Sequence, residues 1–196
     1  MEKLKGNLYK PDETPENYAD DSYEQLDPGA YICKISLVKD ESAVDKRFLY
    51  IEYDIVEGDH AGYFERLSER AGFWGGRVYL SYKDKAQRIF SRAIKAINKA
   101  NPGYVFDPFE DGKNSDEKTL VGKTFAIVLH EEEYTKNDGS TGTRITGSAT
   151  SIIDVDKARS GEFNKKLLDK VIRTNTPAAN TSSTPDFMDA PDNPFA

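Results

Sequence analysis

The sequence predicts a mainly β fold: an OB-like (Greek-key) β-barrel with one main α-helix and a disordered C-terminal tail. Several short segments alternate apolar and polar residues, as half-buried strands do. One run with helical periodicity follows these segments and precedes a long predicted hairpin, and the last residues show no hydrophobic period. A half-open antiparallel sheet with one helix packed on it, an α+β sandwich, fits the same pattern.

The 196 residues suit one ordinary domain with appendages. We expect an irregular acidic arm at residues 1–27, the barrel domain at 28–172, and a disordered linker with an acidic tip at 173–196. A Pro, Ser, Thr and Asn-rich stretch after Arg173 marks the start of the linker.

The first two predicted strands are AYICKISLVKD and RFLYIEYDIVEG. In the first, alternation predicts four inward side chains: Tyr31, Cys33, Ile35 and Leu37. In the second, Leu49, Ile51, Tyr53 and Ile55 form the predicted inward set. The opposite face of the second strand then carries Phe48, Tyr50, Glu52 and Asp54.

A third strand is predicted near AGYFERLSE and a fourth near GGRVYLSY, separated by a glycine-rich loop that exposes Phe73 and Trp74. The period then changes to helical in KDKAQRIFSRAIKAINKA, and Asn101-Pro102-Gly103 ends that helix. A hairpin turning at Asn137-Asp138-Gly139 supplies the last two strands, and EFNKKLLDKVI is compatible with a short charged helix.

The net charge of −7 is unevenly distributed. Residues 1–29 hold 8 acidic and 3 basic side chains, and residues 174–196 hold 3 aspartates without a base. The near-neutral centre can therefore still present a basic face to nucleic acid. Because no apolar run is long enough to span a membrane and no signal peptide is evident, we expect a cytoplasmic protein.

Catalytic and metal-binding patterns are weak. A single cysteine, Cys33, and two distant histidines give no zinc-type spacing, and no cofactor motif is found. Glu131, Glu133 and Asp154 could hold magnesium in a nuclease, but such acids are common on solvated strand faces. We therefore expect a non-catalytic protein.

Aromatic and basic residues are instead typical of a single-strand binding site, where rings stack on bases and cationic side chains contact phosphates. The same rings could simply cover a sheet, so each residue alone is ambiguous. As a set, the predicted DNA contacts are Lys34, Lys46, Phe48, Tyr50, Trp74, Arg77, Tyr79, Tyr82, Lys83 and Arg144.

Residues 28–155 resemble a family of early-region proteins from phages of Gram-positive bacteria, regarded as single-stranded DNA-binding proteins of the replication or recombination module. The most specific similarities are NPGY at 101–104 and VGKTF followed by EEEY within 121–134. The resemblance implies an infected bacterial host and sequence-independent binding of single-stranded DNA.

The end of the chain resembles the acidic tip of bacterial single-strand binding proteins, which recruits partner proteins. The matching residues are Asp186, Asp189, Asp192, Pro194 and Phe195. Phe187, which follows Asp186, adds a second ring to the predicted partner-binding tip. This chain departs from the pattern by ending in Ala196, which moves the terminal carboxylate off the phenylalanine.

Besides the nuclease, two functions fit the sequence. The first is DNA binding by the barrel with partner recruitment by the tip, and a homo-oligomer would fit it because OB-type binders gain affinity by linking several barrels. The alternative is an acidic interaction protein that mimics DNA or inhibits a host factor without binding DNA.

Overall fold

Seven strands form one largely antiparallel sheet in this computed structural model, which describes residues 26–41, 47–108, 115–136 and 139–173. The strands of the described segments are β1 (Gly29–Glu41), β2 (Phe48–Ile55), β3 (Arg77–Ser81), β4 (Thr124–Thr135), β5 (Thr141–Thr146), β6 (Ile152–Ile153) and β7 (Val171–Arg173). The helices are α1 (Tyr63–Ala71), α2 (Gln87–Ala100) and α3 (Val155–Ser160).

The five main strands lie in the order β3-β2-β1-β4-β5, and α2 connects the third strand to the fourth. This arrangement confirms the predicted mainly β, OB-like fold with one main helix. Among the described residues the sheet is not closed, because β3 and β5 remain its two edges. β6 and β7 add short pairings to β4, that of β7 being parallel.

Strand β2 alternates as the sequence predicts. Its buried residues are Leu49, Ile51, Tyr53 and Ile55, and its opposite face carries half-buried Phe48, Tyr50, Glu52 and Asp54. Helix α2 covers the inner side of the sheet with Phe90, Ala93, Ile94 and Ile97, which join the same core cluster. The other side of β2 and β3 is therefore the outer face of the sheet.

The predicted alternation of β1 is wrong beyond Ile35. The pairing of β1 with β2 shifts between Ile35 and Leu37, as in a β-bulge, and places Leu37 opposite Glu52. Val38 then packs against the core, while Leu37 and Lys39 fall on the outer face. One extra residue thus reverses the faces for the second half of the strand.

The prediction of a third strand near AGYFERLSE is wrong, because this segment forms α1. Phe64 and Leu67, three residues apart, turn toward the core, and the Phe64 ring meets Tyr53 edge-on at 5.5 Å. Asp54 of β2 accepts hydrogen bonds from the N–H groups of Phe64 (2.9 Å) and Glu65 (3.1 Å). These are two of the N–H groups in the first turn of α1 that have no partner within the helix. Gly72, with φ of 71°, ends the helix in the left-handed conformation.

The predicted charged helix at 162–172 is also largely wrong: a short 3₁₀ turn at Lys165–Leu168 leads into β7. The regular helix lies earlier, at α3, where Val155 packs with Ile32 and Ala126 on the outer side of β1 and β4. No helix in the described segments is long and apolar enough to cross a membrane.

Candidate nucleic-acid interface

Three aromatic rings form a continuous surface on the outer face of β2 and β3, which we call the aromatic surface: Phe48, Tyr50 and Tyr79. Tyr50 lies opposite Tyr79 in the strand pairing, with ring centroids 5.3 Å apart. Phe48 meets Tyr79 edge-on, also at 5.3 Å. All three are half-buried, so each ring is fixed by its neighbours and still presents surface to solvent.

Cationic side chains border this surface on both sides. The Lys39 ammonium lies 5.8 Å from the centre of the Tyr50 ring, and Arg77 is exposed on β3 two residues before Tyr79. Lys34 is exposed further along β1, opposite Asp54. Lys34, Lys39 and Arg77 form no ion pair with the residues that the structure describes.

Two acids lie next to the aromatic surface: Glu52 follows Tyr50 on β2, and Glu41 of β1 pairs with Phe48. The phenol of Tyr50 donates a hydrogen bond of 2.5 Å to Oε1 of Glu52, and burial, followed by this bond, raises the pKa of Tyr50 to about 12. Tyr50 therefore stays protonated as the donor at neutral pH. Asp54 is the next acid along β2. Its carboxylate accepts hydrogen bonds from backbone N–H groups of α1 and therefore stabilises the fold.

Trp74 lies outside the aromatic surface. Its indole N–H donates to the carbonyl oxygens of Gly76 (2.9 Å) and Tyr53 (3.1 Å), and the half-buried ring packs against the core. These contacts are those of a structural residue. The exposed aromatic side chain of this loop is Phe73, which is 56% exposed.

Tyr82 and Lys83 follow β3 and are also separate from the three rings. The Tyr82 phenol donates to Asp40, its ring packs edge-on against Phe90 at 5.8 Å, and its pKa is raised, first by burial and then by this bond. Lys83 is half-buried at the start of the 3₁₀ turn before α2. Tyr82 thus couples the end of β1 to the helix rather than offering a free ring.

Arg144 is tied to the fold by a buried acid. Its Nε donates to Oε1 of Glu132 at 2.7 Å, and Arg173 of β7 approaches Oε2 at 2.7 Å. The side chain of Glu132 is 1% exposed, so both cations neutralise a charge that water cannot reach. Arg144 also lies 5.2 Å from the Tyr134 ring, near the turn between β4 and β5.

The acids considered for a nuclease are engaged in ion pairs. Glu131 and Glu133 lie 2.8 and 2.9 Å from the Lys170 ammonium, and Asp154 lies 2.9 Å from that of Lys99. No group of three or more His, Cys, Asp or Glu side chains in the described part of the chain could hold a metal ion. Burial lowers the pKa of His130, which keeps its imidazole neutral beside Arg144 and Arg173.

Of the ten predicted DNA contacts, the structure brings Phe48, Tyr50, Arg77 and Tyr79 together, with Lys34 at the edge. Lys46 lies outside the described residues, as do Asp186, Phe187, Asp189, Asp192, Pro194 and Phe195 of the predicted partner-binding tip. Lys39 was missed, because strict alternation assigns it to the core face and the bulge at Ile35–Leu37 reverses that assignment.

Comparison with protein-family models and with curated proteins finds no match to this chain. The function of the aromatic surface therefore has to be inferred from its own chemistry.

Proposed function

We propose that this protein is a non-catalytic single-stranded DNA-binding protein and that the aromatic surface is its DNA site. The observation that carries the proposal is the set of three half-buried rings on the outer face of β2 and β3, flanked by Lys39 and Arg77, with Lys34 further along β1. Rings of this kind stack on bases of any sequence, and the cations meet the phosphates.

The position of the rings within the fold supports the same function. OB folds bind oligonucleotides on the face of their second and third strands, which here is the face that carries Tyr50 and Tyr79. Because helix α2 covers the inner side of the sheet, a stacking ligand has access from the outer face. Partner recruitment by the acidic tip at 186–195 belongs to the same proposal and rests on the sequence alone.

In this proposal the protein coats single strands during phage DNA replication or recombination in the cytoplasm of an infected bacterium. The barrel holds DNA while the tip, bearing Phe187 and Phe195 among aspartates, docks in a basic pocket of another replication protein. The acidic charge of the tip keeps it off the DNA.

Fluorescence anisotropy with a labelled oligothymidine tests the proposal. We expect full-length protein and a version ending at Arg173 both to bind, and both to weaken as salt rises, because phosphate contacts release counterions. Absence of binding by either protein at low salt would remove the DNA function and leave an acidic interaction protein as the alternative.

A further inference from the structure

Glu52 lies at the border of the aromatic surface, next to Tyr50 on β2. It follows Tyr50 on the same face of β2 and lies opposite Arg77 of β3 and Leu37 of β1 in the strand pairings. The hydrogen bond from Tyr50 holds its Oε1, and the side chain is half-buried. A base stacked on Tyr50 or Tyr79 would therefore lie beside a positioned carboxylate.

This carboxylate retains capacity to accept hydrogen bonds. Glu52 has no ion-pair partner among the residues that the structure describes, and Tyr50 is the side-chain donor found on it there. An ionised carboxylate accepts hydrogen bonds through about four lone-pair positions and donates none. Asp54 differs, since backbone N–H groups of α1 already occupy both of its oxygens.

On a surface that binds a polyanion, a carboxylate with unused acceptor positions favours a ligand that supplies donors. Thymine offers one N–H between two carbonyl oxygens, which would face Glu52 with like partial charge. Guanine offers two adjacent donors, N1–H and the 2-amino group, which match the two oxygens of a carboxylate. Charge-assisted pairs of this geometry are among the stronger hydrogen bonds in proteins.

We propose that Glu52 makes the aromatic surface prefer single strands that contain guanine over oligothymidine. This inference rests on the proposed function and refines it, because stacking alone accepts every base. Glu52 acts as the specificity-determining residue, and Tyr50 acts as the positioning residue through its hydrogen bond to Oε1 of Glu52.

The test compares three labelled oligonucleotides of roughly 15 nucleotides, the upper range for one OB fold: oligothymidine, alternating thymine and guanine, and alternating thymine and inosine. Inosine keeps N1–H and lacks the 2-amino group. Lithium buffer disfavours four-stranded guanine structures. The protein variants are Glu52→Gln and, as a control of equal charge change, Glu69→Gln on the exposed side of α1.

We expect wild-type protein to bind the guanine strand at least about tenfold more tightly than oligothymidine, with the inosine strand between them. In Glu52→Gln, whose amide can also donate, affinity for the guanine strand should exceed affinity for oligothymidine by less than about threefold. Glu69→Gln should keep the wild-type preference. Thermal unfolding of both variants checks that they are folded.

Equal affinity of wild-type protein for all three strands, with normal salt dependence, would overturn the guanine preference and leave DNA binding intact. An equal gain in affinity for every strand in Glu52→Gln would also overturn it, since that result would mean that Glu52 only repels the phosphates. Failure of every strand to bind at low salt would instead overturn the proposed function itself.

Discussion

Tyr50 of β2 and Tyr79 of β3 lie directly opposite each other, with ring centroids 5.3 Å apart, on the face of the sheet turned away from the core. Their backbone positions are fixed by strand pairing, and their rings support each other. Such a pair is preorganised for stacking, because little side-chain freedom is lost when a base binds.

Replacing Tyr79 with alanine should weaken oligothymidine binding by about 1–3 kcal/mol, the value typical of one base-stacking ring. Removal of this ring also leaves Phe48 and Tyr50 without their shared neighbour. Anisotropy titration measures the change. Phe73→Ala, which removes an exposed ring from the loop after α1, is the control and should keep wild-type affinity; a larger loss for Phe73→Ala would move the site to that loop.

Arg77→Gln should lower both affinity and its salt dependence. If Arg77 meets one phosphate, the slope of log affinity against log salt should become shallower by about 0.7, the value for one contact with a single strand. Titrations at four salt concentrations measure the slope. Arg88→Gln, an exposed arginine on α2, provides the comparison and should leave the slope unchanged. Identical slopes for both variants would show that Arg77 makes no phosphate contact.

Trp74→Ala should reduce stability rather than DNA binding. The ring packs against the core, and its N–H bonds to Tyr53 and Gly76 join β2 to the start of β3. We expect a loss of about 2–4 kcal/mol in the free energy of unfolding, as for large core truncations. Urea unfolding measures it, with anisotropy on the folded fraction. Wild-type stability together with a large loss of affinity would assign Trp74 to the DNA site after all.

Arg144→Met should destabilise the fold, because it leaves the buried carboxylate of Glu132 with one cation instead of two. Because Arg144 is 36% exposed and Arg173 still pairs with Glu132, the loss should stay below the roughly 3–5 kcal/mol of a buried charge left without a partner. Lys170→Met is the matched control, since the ion pairs of Lys170 with Glu131 and Glu133 are partly exposed. That variant should lose less than about 1 kcal/mol in urea unfolding. Similar losses in the two variants would contradict the difference in burial.

His130 should make stability fall as the solution becomes acidic. Burial lowers the pKa of His130 in the folded protein, so below the unfolded value of about 6.5 the unfolded chain binds more protons. The free energy of unfolding should thus decrease between pH 7.5 and pH 5.5. His130→Asn should reduce that decrease, as measured by urea unfolding at the two pH values. An unchanged pH dependence in the variant would assign the effect to other groups.

Most of the aromatic surface was predictable from local sequence patterns. Period-two alternation in β2 separates Leu49 and Ile51 from Phe48 and Tyr50, because successive side chains on a strand point to opposite faces. The helical period of α2 and the turn before β5 likewise follow from local pattern, so the mainly β fold with one main helix was predictable.

Features that depend on contacts between distant segments were not predictable from local pattern. A bulge in β1 brings Lys39 beside Tyr50, and the cap that forms α1 comes from Asp54, ten residues before Phe64. Only the folded structure reveals that Arg144 pairs with Glu132, or that the indole N–H of Trp74 donates to the carbonyl of Tyr53. Alternation and propensity act over a few neighbouring residues, whereas register, burial and charge pairing are set by elements that meet only in the folded sheet.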